Sequence, residues 1–96
     1  MGQLHYTPDQ SVDIDDRLLG HLEAAMISKL RRHEPFALRL DEVSDTPRTV
    51  WVASATQLVF SYDGARPAIE RAWLEALVET ANTPAGLRLV PDPAAG

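Results

Sequence analysis

With no cysteine in the chain, its three histidines are the first candidates for metal ligands. His21 and His33 lie on one predicted helix, where their spacing separates them by about 18 Å along the axis. His5 belongs to a different predicted element, so no pair of histidines has the spacing of a metal site. We predict that all three lie on the surface and that the protein binds no metal and no cofactor.

Two groups of carboxylates could gather a cation, and each also has a structural interpretation. The first group comprises Asp13, Asp15 and Asp16, and the second comprises Asp41, Glu42 and Asp45. Carboxylates just before a helix cap its first turn and suit the positive end of its dipole, which fits the first group. The second group lies in a predicted loop that lacks the glycine and the terminal glutamate of a calcium loop. We favour the structural interpretation for both groups.

The sequence lacks the motifs of covalent catalysis and of phosphate binding. No serine lies in a Gly-x-Ser-x-Gly motif, and the five glycines form neither Gly-x-Gly-x-x-Gly nor a phosphate-binding loop. A nucleophile, a base and an oxyanion donor therefore cannot be assembled from the residues. We predict no catalytic residue and a non-enzymatic role.

A basic group marks the end of the first predicted helix. Lys29, Arg31 and Arg32 lie there, and Arg17 and Arg39 could lie nearby. These cations could contact nucleic-acid phosphates, or they could complement the negative end of the helix dipole. No aromatic side chain interleaves with them to stack on bases, and the net charge of the chain is −5. We favour the structural role and keep a nucleic-acid-associated accessory protein as the alternative.

Three apolar residues are left over once the predicted core is filled. Leu74 and Val78 lie on the second predicted helix, on a side about 100° away from its core face, where an edge of the core could absorb them. If Val50 and Val52 face the helices, strand alternation places Trp51 on the uncovered face of the sheet. Exposed apolar residues mark contacts with another chain. We therefore expect a homodimer that also binds an unidentified protein, with Trp51, Leu74 and Val78 as interface residues.

The elements that position these side chains follow from the spacing of the apolar residues. Alternation predicts an N-terminal hairpin, one strand after the first helix, two adjacent antiparallel strands and a short last strand. A period near 3.6 predicts a helix over about 16–33, capped by Asp15 or Asp16, and a second helix that begins near Pro67. The strands span about 4–6, 12–14, 36–40, 49–53, 57–62 and 87–90. The order β-β-α-β-β-β-α-β predicts an α+β fold, with an antiparallel sheet and both helices on one of its faces.

The second predicted helix has a clear core face. Ile69, Trp73, Ala76, Leu77 and Thr80 lie within one arc of about 100°. Because large aromatic side chains dominate the energetics of small cores, we predict that Trp73 is buried where this helix crosses the sheet.

A length of 96 residues fits one domain, which we assign to residues 1–90, with a flexible tail over 91–96. The start of the chain has no basic and apolar signal segment. The longest uncharged run, 49–62, is shorter than the roughly 20 apolar residues that span a bilayer. We predict a soluble, cytoplasmic protein with no membrane contact.

Several segments together resemble a group of small, uncharacterised proteins from high-GC Gram-positive bacteria. The matching segments are Met1–Tyr6, Asp15–Leu22, Lys29–Phe36, Arg71–Leu77 and Ala81–Leu87, followed by Val90–Pro91. Proteins of this group are sometimes labelled "ATP-dependent DNA ligase". Such ligases use a lysine nucleophile in a Lys-x-Asp-Gly motif, whereas Lys29 is followed by Leu30-Arg31-Arg32. The resemblance therefore implies a stand-alone domain without the ligase chemistry.

Overall fold

Eight secondary-structure elements form in the order that the sequence predicts. The computed structural model describes residues 1–93, and the elements in that range are β1 (Gly2–Thr7), β2 (Gln10–Ile14), α1 (Asp16–Arg31), β3 (Phe36–Arg39), β4 (Thr49–Val52), β5 (Val59–Ser61), α2 (Arg71–Ala81) and β6 (Leu87–Arg88). The α+β class and the order of strands and helices are confirmed.

The first sheet is built on the N-terminal hairpin. Its strand order is β2-β1-β5, and both pairings are antiparallel. Leu4 lies opposite Val12 on one side and opposite Phe60 on the other. Because side chains alternate between the faces of a strand, these three apolar residues share the inner face of the sheet. The predicted hairpin is confirmed.

The second sheet has the strand order β4-β3-β6. β4 is antiparallel to β3, whereas β6 is parallel to it, with Leu38 in register with Leu87. Leu38, Leu87 and Val52 are fully buried on the inner face. Val50 is half-buried, so the predicted orientation of β4 is confirmed.

The division into two sheets corrects the predicted arrangement of one antiparallel sheet. The strands predicted over 49–53 and 57–62 do not pair with each other, because β4 pairs with β3 and β5 pairs with β1. A local turn separates them: the N–H of Thr56 donates to the Ala53 carbonyl at 3.0 Å, and the N–H of Ala53 donates to Thr56 Oγ1 at 2.9 Å. Alternation predicts a strand, but the partner of that strand depends on the rest of the fold.

α1 begins and ends at residues suited to those positions. The Asp15 side chain accepts hydrogen bonds from the backbone N–H groups of Arg17 and Leu18, so Asp15 is the N-cap. After the helix, His33 adopts a positive φ of 58°, and Pro35 follows. The helix buries an apolar face that includes Leu19, Leu22, Ala25 and Met26.

α2 begins later than predicted. The helix starts at Arg71 rather than near Pro67, and Ile69 precedes it with 46% of its surface exposed, so its predicted place in the core is wrong. The backbone N–H of Glu70, the residue just before the helix, donates a hydrogen bond to the ring of His21 in α1. Trp73, Leu77 and Ala81 form the buried face of α2, which confirms the predicted burial of Trp73.

One apolar core joins the two sheets and the two helices. α1 packs against α2 and β1, and α2 also packs against β6 and β3.

Of the predicted flexible tail, residues 94–96 lie outside the described range, while the Asp92 carboxylate lies 3.1 Å from the Arg17 guanidinium. In residues 1–93, neither helix is long and apolar enough to cross a membrane.

Candidate functional site

The outer face of the second sheet carries the most exposed large apolar side chain of any described strand or helix. Trp51, in β4, has 64% of its surface exposed. Cross-strand register places it on one face with four other residues, and we call this surface the Trp51 face: Ala37, Arg39, Thr49, Trp51 and Arg88. The side chains between them point inward to the core, so this face is the side of the sheet that the helices leave open.

Trp51 is exposed because the side chain directly across from it is small. Ala37 lies opposite Trp51 in the register of β3 and β4. On the other side of Ala37 the chain comes close at Gly86, where an added Cβ would lie 2.6 Å from the Ala37 carbonyl oxygen. Gly86 also has a positive φ of 89°, a conformation that strains other residues. Ala37 and Gly86 are therefore too small to cover the indole.

Two arginines lie side by side on the same face. Arg39 in β3 is in register with Arg88 in β6, so their backbones are about 4.8 Å apart. Arg39 Nε donates to the Ala85 carbonyl at 2.8 Å, which holds its side chain along the sheet. Neither guanidinium forms an ion pair with a carboxylate of residues 1–93. Like charges opposite each other in a sheet are destabilising, so this pair is placed to receive an anionic group.

The carboxylates of the following loop border these arginines. Asp41 and Glu42 line one groove with Arg39, Ala85 and Arg88. Asp41 accepts a hydrogen bond from the backbone N–H of Arg48 at 3.0 Å, so it has a structural role in the loop. Glu42 is exposed. One end of the Trp51 face is thus basic, and the loop beyond it is acidic.

The predicted interface residues of α2 lie elsewhere. Leu74 and Val78 are half-buried and pack against the core, so its edge absorbs part of each side chain. They line a groove between the helices together with Ser28, Arg32 and Glu75. The structure does not bring them together with Trp51.

The predicted basic group is divided by burial. Lys29 is only 7% exposed, and its ammonium donates to Asn82 Oδ1 and to Glu34 Oε1, both at 2.9 Å. The hydrogen bond and the charge of Lys29 lower the pKa of Glu34 below its ordinary value of 4.5. Arg31 and Arg32 are exposed. Lys29 therefore joins the ends of the two helices, and only the two arginines remain available to an external anion.

His21 is buried, so the predicted surface location is wrong for this histidine. None of its surface is exposed, and its ring stacks on Trp73. The spacing of apolar residues in α1 indicates only one buried face of the helix, and it gives no signal that a polar residue outside that face is buried. α2 covers a second side of α1, and His21 lies there.

Two carboxylates of the first predicted group serve local structure. Asp15 caps α1, and Asp16 accepts hydrogen bonds from the backbone N–H groups of Asp63 at 3.4 Å and Gly64 at 3.1 Å. Within residues 1–93, no group of three or more metal-ligating side chains is placed to hold an ion.

The paired arginines are the feature that sequence reasoning missed. The tripeptides Leu38-Arg39-Leu40 and Leu87-Arg88-Leu89 are identical, and their leucines are all buried. The repeated tripeptide was the available signal, but it did not reveal that the two strands are neighbours.

Comparison with known proteins gives one match. The family described as a domain of unknown function (DUF7882) matches residues 1–92. No curated protein and no solved structure matches the chain.

Proposed function

The chain belongs to the DUF7882 family, and from that premise we propose that it is a non-enzymatic interaction module that forms a homodimer through the Trp51 face. The resemblance noted above supports a bacterial setting for this module, and a cytoplasmic location is part of the proposal. Binding of another protein through the same face is part of the proposal.

The exposure of Trp51 carries this proposal. Tryptophan and arginine are the residue types most enriched at the energetic centres of protein interfaces, and the Trp51 face contains one tryptophan and two arginines. The Trp51 indole is 64% exposed on its strand, so a partner that covers it removes apolar surface from water and stabilises the interface.

The size of the face predicts a weak dimer. Two strands of four residues and one strand of two residues cover about 160 Å² in plan, whereas a standard interface buries about 800 Å² on each partner. The adjoining loop must therefore contribute, and we expect a dissociation constant in the micromolar range.

Sedimentation equilibrium over a range of concentrations tests the proposal. We expect a monomer–dimer equilibrium for the wild-type chain and a predominantly monomeric Trp51→Ala variant with unchanged thermal stability. Val59→Ala is the matched control, because Val59 is 53% exposed on the other sheet and should leave association unchanged. A wild-type chain that stays monomeric at high micromolar concentration would exclude the homodimer.

A second candidate function is the binding of nucleic-acid phosphates at the end of α1. Arg31 and Arg32 support it, because both are exposed and neither forms an ion pair within the described part of the chain. The burial of Lys29 weakens it by removing one cation from the group.

Titration of duplex and single-stranded DNA at about 50 mM and about 200 mM salt tests this candidate. Phosphate contacts predict affinity that falls steeply with salt and is lost when Arg31 and Arg32 are both replaced by alanine. Binding that ignores salt, or that survives the double replacement, would remove this candidate.

A further inference from the structure

We infer that each Trp51 face receives the acidic loop, residues 41–47, of a second copy of the chain, so that the two copies exchange loops. The carboxylate of Glu42 in one copy pairs with the guanidinium of Arg88 in the other, and the reciprocal pair forms across a two-fold axis. This inference rests on the proposed homodimer and names the groups that hold it together.

The arginine pair favours an anionic partner. Arg39 and Arg88 lie in register on adjacent strands, and neither has an ion-pair partner in residues 1–93. Thr49 completes this row of the sheet, and Trp51 lies two residues further along β4. A segment that pairs with the arginines is thereby brought over the indole.

The loop has the composition that this face needs. Asp41, Glu42 and Asp45 supply negative charge, and exposed Pro47 supplies apolar surface for the indole. Glu42 forms no hydrogen bond or ion pair with the described residues, so its carboxylate is available to a partner. The loop also adds the interface area that the strands alone lack.

The positions of the charges favour a second copy. Arg88 and Glu42 border one groove, with Arg88 at the basic end of the face and Glu42 in the loop beyond it. A two-fold axis that passes between them exchanges the two ends, so the Glu42–Arg88 pair forms twice, once on each side of the axis. A surface that carries positive and negative charge in this arrangement is complementary to the same surface of a second copy.

The same carboxylates disfavour a polyanion as the occupant. A nucleic-acid strand that placed phosphates on Arg39 and Arg88 would bring them close to Asp41 and Glu42, which line the same groove. A single-stranded oligonucleotide is the competing occupant of this groove, and the experiment must distinguish it from a second copy of the chain.

A charge-exchange experiment on the full chain tests the inference. The dimer dissociation constant is measured by sedimentation equilibrium for the wild type, Arg88→Glu, Glu42→Arg and the variant that carries both changes. Each single change should weaken the dimer about tenfold, because the two-fold axis duplicates its effect. The double variant should recover affinity to within about twofold of the wild type. Arg31→Glu and Glu79→Arg, which change exposed charges on the helices, should leave the dissociation constant unchanged.

Salt and an oligonucleotide provide the remaining measurements. The wild-type dimer should weaken between about 50 mM and about 500 mM salt, because screening shortens the range of the ion pairs. A Trp51-dependent dimer without rescue in the double variant would overturn this inference and leave the homodimer standing, whereas a monomeric wild type would remove both. Salt-sensitive binding of a single-stranded oligonucleotide that Arg88→Glu abolishes, together with association that Arg88→Glu leaves unchanged, would overturn it in favour of nucleic acid.

Discussion

The His21 ring stacks on the indole of Trp73, with their centroids 4.3 Å apart and their planes inclined by 27°. Both ring nitrogens of His21 are also satisfied: Nδ1 donates to the Arg17 carbonyl at 2.7 Å, and Nε2 accepts from the Glu70 N–H at 2.8 Å. Because a carbonyl only accepts and an N–H only donates, the ring is neutral with its proton on Nδ1. One buried side chain of α1 thus holds the start of α2.

Replacement of His21 by alanine should destabilise the protein by about 3 kcal/mol, because it removes a buried ring and leaves the Glu70 N–H without its acceptor. Urea unfolding at neutral pH measures the loss. His5→Ala is the control, since His5 is half-buried in the first sheet and should cost much less. Equal losses in the two variants would show that the stacked arrangement contributes nothing particular to stability.

The two tryptophans should respond in opposite ways to truncation. Trp73 is buried, and its indole N–H donates to the Val90 carbonyl at 2.8 Å, so Trp73→Ala should cost about 3–5 kcal/mol. Trp51→Ala should change stability by less than about 1 kcal/mol and act on association instead. Thermal melts at low protein concentration separate the two effects, and similar losses in both variants would contradict this assignment of the faces.

Replacement of Glu34 by glutamine should destabilise the protein only where the carboxylate is charged. Lys29 lowers the pKa of Glu34 through a hydrogen bond and its charge, so the pair stabilises the fold above the ordinary value of pH 4.5. That contribution is lost as the pH falls below 4.5 through the lowered pKa. The difference in melting temperature between wild type and Glu34→Gln should therefore shrink over this range. Exposed Glu79, replaced by glutamine, serves as the control, and a difference that is independent of pH would contradict the prediction.

Alanine at Gly20 should destabilise a helix that it would ordinarily favour. In an exposed helix the change from glycine to alanine stabilises by about 1 kcal/mol. Here the added Cβ would lie 2.5 Å from Cγ of Pro67, in the segment that leads to α2, so the two must move apart. Chemical unfolding measures the change, and Gly64→Ala is the control because its nearest neighbour would lie 3.9 Å away. A stabilising Gly20→Ala would show that the segment around Pro67 shifts freely.

The sequence alone determined the features that depend on near neighbours in the chain. Four features follow from a few adjacent residues: a cap of α1 at Asp15 or Asp16, the end of α1 before Pro35, the alternation that buries Leu38 and Leu40, and the exposed side of Trp51. Capping, periodicity and backbone restriction act over this short range, which is why the fold class and the order of elements could be predicted.

Only the tertiary structure decided which elements meet. Alternation marked β4 and β5 as strands, but their pairing with β3 and β1 depends on residues far away in the chain. Three side chains also depend on distant parts of the chain. α2 covers His21, and Lys29 reaches Asn82 at the end of α2. Only the parallel pairing of β3 and β6 brings Arg39 beside Arg88. Burial and electrostatic partnership are properties of the assembled surfaces, because a side chain leaves water only when a distant part of the chain covers it.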